Sequence, residues 1–306
     1  MKIILLDAVT FGDTDLSGFD ELGKVSIYQM TAPDELDERI ADADVIVTNK
    51  VVITADTMQK SKNLKLICIA ATGMNNVDLK AAKERGIEVR NVAGYSTDSV
   101  VQHTFSMLFY LIGHSRYYDE SVKSGAWSRS GIFTDVSRPF FEISGKKWGI
   151  IGLGTIGRKV ALLAKAFGAD VSYFSTSGKN LDSEFKSVEL DELLRQSDII
   201  TIHAPLNEMT ANLLDYEKML GCKEGVVILN LGRGGIINEA DAAKIIDERK
   251  ISLGLDVLSR EPIEEGHPLL HVKNKDNLYI TPHIAWTSKE ARDTLIASTI
   301  ENIRSL

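Results

Sequence analysis

Two cysteines in 306 residues, Cys68 and Cys222, are too few for a disulfide framework. Cys68 lies in the apolar run Leu66-Ile67-Cys68-Ile69, where packing is its expected work. No apolar run approaches the roughly 20 residues of a membrane-spanning helix. No block of positive charge stands out, and the formal net charge of −8 argues against a nucleic-acid role. The opening Met1-Lys2-Ile3-Ile4-Leu5-Leu6-Asp7 is too short for a signal peptide and reads as a first strand. No metal-ligand spacing is present, and His267 and His271 read as surface residues. What is left is an ordinary globular composition, 44% hydrophobic and 25% charged, expected in a reducing cytoplasm. The length suggests two domains.

Strands and helices alternate from the start. Strands are expected at 3–6, 25–28, 45–47, 64–70 and 87–89, and helices at 33–41 and 79–85, the second closed by Gly86. Continuous apolar strands between helices imply a parallel sheet covered on both faces. A long helical run follows from 97 to about 122, apolar on more than one side through Val100, Val101, Phe105, Leu108, Phe109 and Ile112, so burial is expected. Gln102 and His103 interrupt it, and His103 reads as a hydrogen-bonded interior histidine. Residues 125–139 offer few core positions and suit a subunit contact. From Lys147 the alternation restarts, with strands at 148–151, 171–174, 199–203, 226–231 and 253–257. The expectation is two doubly wound α/β bodies with a cleft between, the substrate lying outside the carboxyl ends of strands.

The chain is organised around Gly149-Ile150-Ile151-Gly152-Leu153-Gly154-Thr155-Ile156-Gly157-Arg158. After it, Ile156, Val160, Leu163, Ala164 and Phe167 recur at helical spacing until Gly168. Strand, glycine turn and helix is the context in which Gly-x-Gly-x-x-Gly signifies dinucleotide binding. Gly152 permits the tight turn, Gly154 lets the backbone approach a pyrophosphate, and Gly157 lets helix and strand pack closely. The carboxylate expected about twenty residues on is missing, since that strand ends in Ser175-Thr176-Ser177-Gly178-Lys179. These hydroxyls and the lysine suit a 2′-phosphate, and equally a polar turn that tolerates NAD, so both cofactors stay open.

Other loops carry chemistry. Thr72-Gly73-Met74-Asn75-Asn76-Val77-Asp78 follows a strand and reads either as a backbone N–H nest for a small carboxylate or as a plain turn capped by Asp78. His203-Ala204-Pro205 ends a second-domain strand over the cofactor side, with no proton chemistry expected of His203. Arg233, among Gly232, Gly234 and Gly235, has a fork suited to holding a carboxylate and polarising the carbonyl beside it. Asp256 is expected to meet a polar group of the cofactor. His283 can give a proton to a carbonyl oxygen as hydride arrives, and a carboxylate such as Glu261 would favour its imidazolium and fix the ring.

On segments 71–78, 152–158, 203–206, 230–235, 255–262 and 281–292, the chain resembles the NAD(P)-dependent D-2-hydroxyacid dehydrogenases. The resemblance is nearly end to end. It implies catalytic Arg233, Glu261 and His283. It implies cofactor contacts at Gly152, Gly154, Thr155, Ile156, Gly157, Ser175, Thr176, His203, Ala204, Pro205, Thr210, Leu231, Gly232 and Asp256. Substrate contacts are implied at Asn49, Thr72, Gly73, Met74, Arg233, His283 and Trp286, and no metal. A flavodoxin-like substrate domain, 1–98 with 285–306, is expected beside a Rossmann cofactor domain, 99–284, and a homodimer partly through 117–139. Asn91-Val92-Ala93-Gly94-Tyr95-Ser96-Thr97-Asp98-Ser99-Val100-Val101-Gln102-His103-Thr104 and Thr281-Pro282-His283-Ile284-Ala285-Trp286 look most like bacterial glycerate dehydrogenases (hydroxypyruvate reductases). Reduction of hydroxypyruvate by NADH or NADPH is therefore expected, with D-lactate or glyoxylate chemistry, or an NADH-sensing corepressor role, as alternatives. Ser175, where most NAD-using members are acidic, and Gly232, often Ala, are the departures.

Overall fold

Val45–Thr48, Leu66–Ile69, Ile199–Ile202 and Val227–Asn230 are strands buried at every position. A strand buried on both faces belongs inside a parallel sheet with helices above and below. The computed structural model, which describes residues 1–179, 182 and 184–306, has two such sheets, and every pairing between their strands is parallel. The chain divides into Met1–Ser96 with Trp286–Leu306, and Thr97–Ala285.

The first unit runs β1 (Lys2–Leu5), β2 (Lys24–Ile27), α1 (Pro33–Ile40), β3 (Val45–Thr48), α2 (Ala55–Lys60), β4 (Leu66–Ile69), α3 (Leu79–Glu84) and β5 (Glu88–Asn91). Its strand order is β2-β1-β3-β4-β5, the flavodoxin-like order, with the switch between β1 and β3. Alternation along β1 sends Ile4 and Leu6 into a core with Leu36, Ile40 and Met58, and Ile3 and Leu5 into one with Leu295 and Ile303. The C-terminal helix Lys289–Arg304 thus covers the face that α1 and α2 leave open. Helix α2 was not expected from sequence. Thr54 starts it, accepting from Thr57 N–H at 3.2 Å.

The second unit runs α4 (Thr97–Ile112), α5 (Ser115–Lys123), α6 (Ala126–Ser130), β6 (Lys147–Ile151), α7 (Thr155–Ala166), β7 (Asp170–Phe174), β8 (Lys186–Ser187), α8 (Leu190–Gln196), β9 (Ile199–Ile202), α9 (Tyr216–Leu220), β10 (Val227–Asn230), α10 (Glu239–Glu248), β11 (Ser252–Leu255) and β12 (Leu278–Ile280). The sheet order is β12-β11-β10-β9-β6-β7-β8, with its switch between β6 and β9. One face packs on α4 and α7 through Trp148, Met107 and Val160, the other on α8 to α10 through Leu193, Met219 and Ile245.

The expected helix over 97–122 is two helices. It breaks at Gly113 and His114, whose φ of +48° is left-handed, so α5 sets off in a new direction. Strands expected to reach 203, 231 and 257 leave the ladder at Ile202, Asn230 and Leu255. Beyond those ends Leu231, Val257 and the charged Asp256 stay buried, while His203 is half-buried. Leu163 and Phe167, which recur at helical spacing, are 40% and 49% exposed on α7 and the residue after it. Val160, Ala161 and Ala164 carry the buried face instead.

Candidate active site

The glycine turn after β6 sits at the sheet's switch point. Gly152 has φ +92°, and a Cβ there would stand 2.9 Å from Ala204 N. A Cβ on Gly157 would stand 2.2 Å from Gly152 O. The two glycines therefore press β6, the loop after β9 and the start of α7 together. Around the ideal Cβ of Gly154 there is nothing within 4 Å. Gly154, the N-cap of α7, has no side chain to cap the helix, so the N–H groups at Thr155 and Ile156 face that open space. A helix N-terminus bare of its own cap and fronted by room suits a pyrophosphate.

Orphaned polar atoms lie beside it. Ser175 Oγ, just past the end of β7, is buried without a hydrogen-bond partner among the described residues, and so are both ring nitrogens of His203. Burial pushes His203 down to about 3, which keeps the ring uncharged at neutral pH. His203 N–H donates to Ile151 O at 2.8 Å, holding this loop on β6. Thr210, fully buried, donates its hydroxyl to Pro205 O at 2.7 Å and closes the turn after it. A Cβ on Gly232 would stand 2.7 Å from Ala204 O, so the β10 loop also leans on this backbone. Leu231 is buried, while Thr176 is half-buried at the rim. These residues fit a dinucleotide.

At the carboxyl end of β10, buried Asn230 stitches the arginine turn. Gly232 N–H donates to Asn230 Oδ1 at 3.0 Å, and Asn230 Nδ2 donates to Arg233 O at 2.8 Å. Arg233 itself is half-buried, with one N–H on Gly232 O at 2.9 Å. Past β11, Asp256 is 2% exposed and accepts three bonds, from Thr281 Oγ at 2.6 Å, Ile284 N–H at 2.8 Å and Ala285 N–H at 3.0 Å. Its carboxylate clamps the turn that carries His283, which lies at a left-handed φ of +54°. His103, on α4, is 3.1 Å from Thr281 Oγ through Nε2. Burial lowers its pKa, partly opposed by the Asp256 charge. Glu261 Oε1 accepts from Leu258 N–H at 3.0 Å, and Glu261 Oε2 lies 2.7 Å from His283 Nδ1.

In the first unit, Asp7 and Asn49 meet at the switch point. The Asp7 carboxylate accepts from Asn49 N–H at 2.9 Å and Lys50 N–H at 2.6 Å. Asn49 is 3% exposed, and its Nδ2 has no partner among the described residues. Thr72 donates its hydroxyl to Val92 O at 3.2 Å, and Met74 packs on the core beside this turn. Asp78 does cap α3, accepting from Ala81 N–H at 2.9 Å. Trp286 meets Tyr95 edge-on, centroids 6.2 Å apart.

Sequence reasoning missed Asp7 and the stitching role of Asn230; a polar residue where a strand ends before a turn is the only signal either gives. It also placed His267 on the surface. Its side chain is 14% exposed and lies 2.9 Å from Glu239, whereas His271 is exposed. Among the described residues, no cluster of His, Cys, Asp or Glu could hold a metal ion, and no helix is long and apolar enough to cross a membrane.

The family model described as "D-isomer specific 2-hydroxyacid dehydrogenase, NAD binding domain" matches residues 105–285. A hydroxypyruvate reductase of Blautia hydrogenotrophica is 38% identical, over 99% of this chain and 96% of that protein. A glycerate dehydrogenase of Methylorubrum extorquens is 34% identical, over 99% and 95%. The crystal structure of D-lactate dehydrogenase from Aquifex aeolicus, complexed with NAD and lactic acid, has a TM-score of 0.85 at 25% identity, covering 100% of this chain and 95% of that one. The class is thus the NAD-dependent oxidoreductases. Within it, the chain belongs to the D-isomer-specific 2-hydroxyacid dehydrogenases.

Proposed function

We propose that the protein reduces hydroxypyruvate, or a close small 2-oxo acid, to the D-2-hydroxy acid. The pairing of His283 with Glu261 in the unit that holds the glycine turn and Arg233 carries this reading. NADH or NADPH, when bound, supplies hydride. Arg233 anchors the substrate carboxylate and polarises the 2-oxo group. His283 gives a proton to the carbonyl oxygen from Nε2, while Glu261 holds Nδ1 and the ring's orientation. Asp256 fixes the turn on which His283 rides. Gly152, Gly154, Thr155, Ile156 and Gly157 form the pyrophosphate cradle, with Ser175, Thr176, His203, Ala204, Pro205, Thr210, Leu231 and Gly232 around the rest of the cofactor. Asn49, Thr72, Gly73, Met74 and Trp286 are assigned to substrate recognition. The bare Asn49 amide supports this, being suited to an oxygen on the substrate's third carbon.

The same proposal includes a homodimer in the cytoplasm. Phe109, Leu163 and Phe167 line an exposed apolar groove between α4 and α7, and Phe133 and Val136 are 90% and 80% exposed in the segment after α6. An apolar face of this kind suits association. Activity is tested by the loss of NADH or NADPH absorbance with hydroxypyruvate, glyoxylate and pyruvate. Turnover with hydroxypyruvate as the best substrate is expected. No turnover with any small 2-oxo acid would sink the enzyme reading and favour an NADH-sensing binding role.

A further inference from the structure

Glu239 opens α10 with a buried carboxylate, 9% exposed. Its oxygens accept from Ser259 N–H at 2.5 Å, Ser259 Oγ at 2.8 Å and His267 Nε2 at 2.9 Å. His267 Nδ1 accepts from Leu269 N–H at 3.3 Å, which places the ring proton on Nε2, facing the carboxylate. Glu239 is not there to cap its own helix, because the Asn238 side chain already accepts from Asp241 N–H at 3.1 Å. A buried carboxylate costs folding energy unless it is fully bonded, and an apolar residue could fill the space. What the carboxylate adds is a hold on the chain between Ser259 and His267.

That stretch carries Glu261. Ser259 stands two residues before it and His267 six residues after, so one carboxylate grips both ends of the loop. The neighbouring N–H groups of Leu258 and Ser259 are each taken by a different glutamate, Leu258 by Glu261 and Ser259 by Glu239. The arginine loop leans on the same backbone. A Cβ on Gly234 would stand 1.9 Å from Leu258 C and 2.4 Å from Ser259 N. A shift at Ser259 therefore reaches Glu261 directly and the Arg233 turn through Gly234.

We propose that Glu239 is a positioning residue for Glu261, clipping the base of its loop through Ser259 and His267. This rests on the proposed reduction of a 2-oxo acid. The test combines steady-state hydroxypyruvate reduction with amide hydrogen exchange, on wild type, Glu239→Gln, Glu261→Gln and the double variant. In Glu239→Gln the amide nitrogen meets a donor in either orientation, Ser259 N–H in one and Nε2–H of His267 in the other. The expected result is a fall in kcat of about tenfold to a hundredfold, as for a misplaced catalytic group, with NADH affinity unchanged. Exchange should quicken at 257–267. In the Glu261→Gln background, Glu239→Gln should change kcat by less than about twofold, because both act through one group. Losses that multiply, an unchanged kcat in Glu239→Gln, or unchanged exchange at 257–267 would each overturn the positioning role. Should Glu239→Gln fail to fold, His267→Ala removes a single donor, and the same cycle with Glu261→Gln decides. Wild-type protein inert toward every small 2-oxo acid would overturn the proposed function as well, which active wild type with multiplying losses would not.

Discussion

His283 Nδ1 lies 2.7 Å from Glu261 Oε2 while the opposite oxygen of that carboxylate accepts Leu258 N–H, so the imidazole is held through Nδ1. Nε2 is the nitrogen left to exchange a proton. Replacing His283 with Ala removes the donor and leaves the glycine turn intact. The expected outcome is a fall in kcat of about a hundredfold to ten-thousandfold. NADH binding, followed by fluorescence, should be retained. A variant that kept most of its turnover would refute the proton-donor assignment.

Arg233 is expected to act through the shape of its guanidinium and not only its charge. Lysine keeps the charge but loses the fork and the planar face. Losing one charge-assisted hydrogen bond costs about 1.5–3 kcal/mol. Arg233→Lys should therefore lower kcat/KM for the 2-oxo acid about tenfold to a hundredfold. Rates measured across substrate concentrations check this. Wild-type kcat/KM in the lysine variant would show that point charge alone suffices.

How far the sequence disclosed all this follows from what each signal measures. Strands such as Val227–Asn230 were legible because a run apolar at every position has few places to go except a covered parallel sheet. Their carboxyl ends were not, because Leu231 and Val257 remain buried after their backbones have left the ladder. Helical spacing marked Leu163 and Phe167 as apolar, but spacing does not tell a core from a face left open. The break at His114 has no residue signature beyond a glycine that helices also tolerate. Arg233, Glu261 and His283 were readable as loop residues after strands. Asp256 was readable only as polar, since its three donors lie 25 to 29 residues onward in the chain. Glu239 and His267, 28 residues apart, are joined by the fold alone.

His203 links burial to pH. Its folded-state value, about 3, lies below the ordinary 6.5, so below 6.5 the unfolded chain takes up a proton that the native ring refuses. The stability tied to this site is complete above pH 6.5 and is lost as pH falls toward 3. His203→Asn, which has no ring to titrate, should lose less melting temperature than wild type between pH 7 and about 4.5. Paired thermal melts read the difference. Parallel curves would mean that the ring is reached by protons in the native state.

Ser175 bears on the choice of cofactor. Its hydroxyl is buried and has no partner among the described residues, and if it faces the adenosine ribose as proposed, a carboxylate in its place would repel a 2′-phosphate and bind a ribose diol. Ser175→Asp should shift the ratio of kcat/KM for NADH over NADPH upward by about tenfold or more, the scale of one charged contact. Both cofactors tested against one 2-oxo acid supply the ratio. A ratio unmoved by the new charge would place the adenosine ribose elsewhere.

Gly154 and Gly157 separate folding from nucleotide binding within a single turn. A Cβ on Gly157 meets Gly152 O at 2.2 Å, a backbone atom that has no side chain to swing aside. Gly157→Ala should therefore cost about 1–3 kcal/mol of stability, as overpacking does, and lower the melting temperature. A Cβ on Gly154 meets nothing within 4 Å. Gly154→Ala should melt with the wild type and yet bind NADH at least about tenfold more weakly, roughly 1.4 kcal/mol. The methyl would occupy the space into which the first N–H groups of α7 point. Calorimetric titration with NADH beside a thermal melt reads both quantities. Equal NADH affinity in Gly154→Ala would mean that the phosphates do not approach this backbone.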